Sequence, residues 1–118
     1  MQPDERNAAY LFDMLKAAEK IQRYIEGKKF GDFTADELLR DAVERNIEII
    51  GEAARRLSES LKREHPEIPW PKIIAQRNVL IHEYNDIDVE EIWEVASFHI
   101  PRLTMLIKKI MPPIPSEE

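Results

Sequence analysis

Cysteine is absent from this chain of 118 residues, which excludes a disulfide framework, a thiolate nucleophile and a thiolate metal site. Glycine occurs only three times, and none of the three belongs to a glycine-rich loop that could cradle a phosphate. No apolar run approaches the roughly 18 residues that a membrane span needs, and no basic-then-apolar leader is visible, so a cytoplasmic protein is the expectation. Positive charge is also scarce. Seventeen Lys and Arg against 23 Asp and Glu leave a net charge of -6, which argues against a broad, non-specific nucleic-acid binder while leaving room for a local cationic site.

What the chain does have is charge and helical periodicity. Charged residues make up 34%, and the length suits one domain with a single core. Ala8, Leu11, Leu15, Ala18, Ile21 and Ile25 recur at three- and four-residue steps, with Phe12 and Met14 widening the stripe and Gly27 as a C-cap. Thr34 and Glu37 have capping-box spacing, so a second helix is expected from Ala35 to about Glu64, ended by His65-Pro66. Its inward stripe is Leu39, Ala42, Val43, Asn46, Ile49, Ile50, Ala53, Leu57 and Leu61. Gly51 beside Ala53 and Ala54 leaves a thin patch that another helix could approach closely. A third helix is expected from Trp70 to about Asn85. A fourth, opened by Asp88 and Glu91, runs to about Ile110 with a kink at Pro101. These elements predict an all-α, antiparallel bundle of four to five helices over residues 1–111, followed by a proline-rich acidic tail, 112–118.

The chemistry concentrates in the third helix, Gln76-Arg77-Asn78-Val79-Leu80-Ile81-His82-Glu83-Tyr84. Arg77 and Tyr84 fall on the apolar stripe of Ile73, Ile74, Leu80 and Ile81, and a guanidinium is rarely buried without a partner. His82 lies about 140° round the axis from Arg77, on the face of Asn78. The pair can converge if the helix loosens or if a second copy supplies the other half, which favours a dimer. His82 can move a proton near neutral pH, and Arg77 offers a fork suited to phosphate oxygens. Asn78 could hold the imidazole tautomer or bind a phosphate, and Tyr84 adds a phenol. The set suits metal-free cleavage of RNA by its own 2'-hydroxyl.

Other readings of the same residues stay open. His82 could cap helix carbonyls, and Arg77 could bridge to Glu48 or Glu52. Asn46 reads as a buried hydrogen-bonding residue, Trp70 and Trp93 as core, and Arg102, Lys108 and Lys109 as a solvated face. No metal or other cofactor is expected. His82-Glu83 opens like a zinc-protease motif, but the position four after His82 is Asp86, not a histidine.

The order Arg77-Asn78 … His82-Glu83-Tyr84 resembles the motif of HEPN-domain toxins, and the chain is similar to their HepT branch. Arg45 through Ala54, His65 through Trp70, and Ile100-Pro101-Arg102-Leu103 extend the likeness. The resemblance implies an all-helical ribonuclease toxin that dimerises, or forms a higher oligomer, around a composite site. Arg77 and His82 would be catalytic there, with Asn78 and Tyr84 supporting. It further implies a nucleotidyltransferase antitoxin as partner, which would transfer AMP to Tyr84. The alternative is a catalytically silent interaction module, or a nucleotide-binding helper of such a nucleotidyltransferase.

Overall fold

A computed structural model describes residues 3–82 and 88–112, with the backbone alone at residues 3, 4, 81 and 82. Among the described residues there are helices and no strands. Four long segments make the bundle: α1 (Pro3–Ile25), α3 (Glu37–Arg56), α5 (Trp70–His82) and a composite fourth. The fourth is built from α6 (Val89–Glu94), a π-helical turn (Val95–His99) and α7 (Ile100–Ile110). The short α2 (Phe30–Ala35) and α4 (Glu59–Glu64) fill corners. α3 lies between α1 and α5, and α1 also packs on α7. None of these helices is long and apolar enough to cross a membrane.

The core is where the periodicity put it. Leu11, Met14, Ala18 and Ile21 of α1 meet Val43, Ile47, Ile50 and Ala54 of α3, all nearly sealed from solvent. Burying such side chains supplies roughly 1.5–3 kcal/mol each for the larger ones. Phe12 departs from the expected stripe and is exposed, while Ile47 and Val95, outside the expected stripes, are buried. Gly27 has φ +73°, the left-handed geometry that a C-capping glycine supplies, and Lys28 N donates to Ile25 O just before it.

Three expected boundaries move, each for a local reason. The link before Thr34 is itself a helix, α2, because Phe33 is fully buried against the ring of Trp93, 5.2 Å between centroids. The cap of α3 is therefore Asp36, whose carboxylate accepts from Leu39 N at 3.0 Å. The Thr34 hydroxyl instead donates to Gly31 O, so the expected Thr34–Glu37 box does not form. The second helix does not reach Glu64 unbroken. Leu57 turns extended, and Ser58 starts α4 by accepting from Leu61 N. Asn7 of α1 holds that break, donating to Ser58 Oγ at 2.9 Å and accepting from Ser58 N at 3.0 Å. In the fourth segment the backbone widens into five π-helical residues just before Pro101, which enters α7 near its start. The helix runs on through that turn, with His99 and Ile100 both in αR geometry, so the π-helical widening is where the ladder accommodates the amide that Pro101 lacks. Asp88 does cap α6, accepting from Glu90 N at 3.0 Å.

Candidate functional site

α5 is seated by apolar contacts at both ends. Trp70 is buried and donates its indole N–H to His65 O at 3.0 Å; Ile73 and Leu80 are buried further along. Between those anchors α5 crosses α3 at Gly51. A Cβ on Gly51 would stand 2.2 Å from Arg77 Cβ and 3.1 Å from Ile73 O, so only glycine admits this approach. The thin patch expected on α3 is the seat of Arg77.

From that seat the guanidinium of Arg77 extends along α3, 21% exposed. Its Nη2 lies 3.0 Å from Glu52 Oε2, and its Nη1 donates to Asn78 Oδ1 at 2.9 Å. Its Nε is sealed from solvent with no acceptor among the described residues. Of the two carboxylates expected to bridge Arg77, Glu52 does so; Glu48 pairs with Arg45 at 3.3 Å.

Glu52 serves more than one cation. Arg55 Nη2 donates to its Oε1 at 2.9 Å and Arg56 Nε to the same oxygen at 2.8 Å. Those hydrogen bonds, joined by the nearby charge of Arg77, pull the Glu52 carboxyl down to about 2 from an ordinary 4.5. Three guanidiniums thus converge on one carboxylate, a local excess of positive charge on an acidic chain.

The cluster opens into a cavity of about 350 Å³ lined by α1, α3 and Arg77 of α5. Tyr10, Arg45 and Arg56 share its walls with Glu48 and Glu52. Nothing in the sequence reading marked Arg45, Tyr10 and Arg56 as site residues, although the spacing Arg45-Glu48-Glu52-Arg56 marks one helical face. A second cavity, about 280 Å³ between α3, α5 and α7, touches neither Arg77 nor Asn78.

The structure therefore brings Arg77 and Asn78 together. α5 is helical without a break to its last residue, His82, so positions 77 and 82 leave the axis about 140° apart. The side chain of His82 and the whole of Tyr84 lie outside the described residues, as do Glu83, Asp86 and the tail from 113. Asn46, Trp70 and Trp93 take the structural places expected of them. Asn46 Nδ2 donates to Ala42 O at 2.9 Å, Trp70 is buried, and Trp93 is half-buried against Phe33. Among the described residues no three His, Asp or Glu side chains group as metal ligands would.

Comparison with known proteins points one way. The family model described as "Ribonuclease HepT-like" matches residues 14–110. A "Probable ribonuclease HepT" from Thermococcus cleftensis is 39% identical over 101 residues, covering 86% of this chain and 92% of that protein. The "Putative RNase TTE0752" of Caldanaerobacter subterraneus is 36% identical over 102 residues, covering 86% and 91%. No solved structure matches.

Proposed function

The chain belongs to the HepT-like ribonuclease family, and on that premise we propose that it is a metal-independent endoribonuclease toxin acting in the cytoplasm. Arg77 and His82 do the chemistry, with Asn78 and Tyr84 beside them. One observation carries the assignment of Arg77: its guanidinium is held in a glycine-made seat at the edge of an open cavity, with one buried N–H still unspent. A guanidinium needed only for stability would have its donors matched.

In the reaction the RNA 2'-oxygen attacks the adjacent phosphorus while His82 moves protons. The bond to the 5'-oxygen breaks, leaving a 2',3'-cyclic phosphate and a free 5'-hydroxyl. Arg77 stabilises the charge that builds on the phosphoryl oxygens, and Asn78 holds its fork in place. The unbroken helix through positions 77 and 82 separates the two backbone positions by about 140° around the axis, which supports a composite site shared by two copies of the chain. The partner that silences the toxin is a nucleotidyltransferase antitoxin, with Tyr84 as the residue that receives AMP.

Arg77→Ala and His82→Ala should each reduce RNA cleavage about 10²–10⁴-fold with an unchanged helical circular-dichroism signal. Wild-type activity in either variant, measured on a labelled single-stranded RNA, would remove that residue from the mechanism. For the partner, intact mass after co-expression should show an AMP adduct on wild type and none on Tyr84→Phe. An adduct that survives in the variant places the modification elsewhere.

A further inference from the structure

The cavity beside Arg77 has more order than one catalytic residue requires. Arg45, Glu48, Ile49, Glu52, Ala53 and Arg56 line it at three- and four-residue steps, a single stripe of α3 that spans about 16 Å from Arg45 to Arg56. Arg77 leans over from α5 against Gly51 and Glu52, so it stands near the middle of that stripe with one arginine towards either end. Tyr10 and Asp13 of α1 form the opposite wall.

The charges lining this groove are equal in number, Arg45, Arg56 and Arg77 against Asp13, Glu48 and Glu52, but they are not paired one to one. Arg55, Arg56 and Arg77 share the single carboxylate of Glu52, and each guanidinium carries five N–H donors in a fork. Arg55, outside the lining of the groove, adds a further guanidinium at Glu52. Arg55 and Arg56 engage Glu52 through hydrogen bonds, whereas Arg77 meets it as an ion pair. Most of the donors are left over, and Arg45 and Arg56 are 71% and 54% exposed. An oxyanion entering the groove would find forks already gathered around Glu52, a carboxylate standing where phosphate oxygens can compete.

We propose that the α3 groove is a phosphate track for single-stranded RNA, in which Arg77 meets the reacting phosphate and Arg45 and Arg56 hold phosphates on either side of it. The assignment rests on the ribonuclease reading and adds to it where the substrate backbone lies. It also accounts for an acidic protein handling RNA: the attraction is confined to one groove and does not need a basic surface.

The test is binding of a fluorescein-labelled single-stranded RNA of mixed sequence, followed by anisotropy across a series of KCl concentrations. His82→Ala serves as the common background so that the probe stays intact. In a single-stranded complex, each phosphate deprived of its protein cation lowers the slope of log K against log[salt] by about 0.7. Adding Arg45→Ala with Arg56→Ala should therefore lower the slope by about 1.4. Lys108→Ala with Lys109→Ala on α7, which removes the same charge outside the groove, should leave it unchanged.

An unchanged slope in the arginine pair, an equal fall in the lysine pair, or no RNA binding in the background protein overturns the track. These results are separable from the fate of the ribonuclease reading. Cleavage by the wild type with an unaltered slope in the arginine pair leaves the enzyme and removes the groove. The expected slope change with no cleavage by the wild type leaves an RNA-binding groove and removes the catalysis.

Discussion

The seam between α1 and α7 and the seam between α3 and α5 each enclose a polar side chain, and they treat it differently. At the first, Thr104 is buried, its hydroxyl 2.9 Å from Ile100 O one turn back and 2.9 Å from Gln22 Oε1 across the seam. Among the described residues no buried side-chain polar atom there is left without a partner. At the second, Arg77 shares its carboxylate with two other arginines and keeps a buried Nε with no acceptor among the described residues. A buried polar group left unmatched costs about 1–3 kcal/mol. The first seam is matched as folded; the second keeps one donor unmatched among the described residues. On the proposed mechanism that contrast separates a polar residue kept for packing from one kept for chemistry.

The contrast can be attacked in descending order of effect. α3 packs on both α1 and α5, and Ile50 on its core face is 2% exposed. Ile50→Ala should cost about 2–5 kcal/mol by reduced burial and creation of a cavity, read as a fall in the urea midpoint. A midpoint near wild type would mean the helices close over the gap.

Next comes the α3–α5 seam alone. Gly51→Ala adds about 1 kcal/mol of helix propensity, but its Cβ would stand 2.2 Å from Arg77 Cβ. That neighbour is the rigid stem of a side chain, so the helices must part, and overpacking of this kind costs about 1–3 kcal/mol. The second effect should win. Stability and RNA cleavage should fall together, and a raised midpoint with full activity would show that α5 does not need this approach.

A smaller effect tests the cluster's charge. The folded-state carboxyl of Glu52 sits at about 2, below its ordinary 4.5. A depressed carboxyl contributes stability above its unfolded value, and that contribution is lost as pH falls from about 4.5 towards 2. The carboxylate is 31% exposed, so screening keeps the contribution modest. Wild type should lose more stability over that interval than Glu52→Gln does, and parallel urea curves would deny Glu52 its place at the centre. Thr104→Val is the smallest change. The matched seam should give up no more than about 1.5 kcal/mol, and RNA cleavage should stay at the wild-type rate.

Much of this architecture can be read from residues alone. The stripe from Leu11 to Ile21, the close-approach patch at Gly51, the cap at Asp88 and a partner for Arg77 at either Glu48 or Glu52 each follow from spacing and side-chain chemistry. Asn46 is legible as structural because an asparagine on a core stripe can reach back to its own helix, as it does to Ala42 O. Less legible are features whose causes lie far along the chain. The break after Leu57 depends on Asn7, 51 residues before Ser58, and α2 exists because Phe33 finds Trp93.

By itself the sequence determined which residues face inward, where helices can start, and that Arg77 needs an anionic partner. Periodicity, capping and desolvation act over a few residues or on one side chain. Only the tertiary structure decided that Gly51 is the point of crossing, that three arginines share Glu52, and that Tyr10, Arg45 and Arg56 stand round the same cavity. Those facts depend on how separate helices pack against each other, and helix packing is a property of whole surfaces that no local stretch of sequence contains.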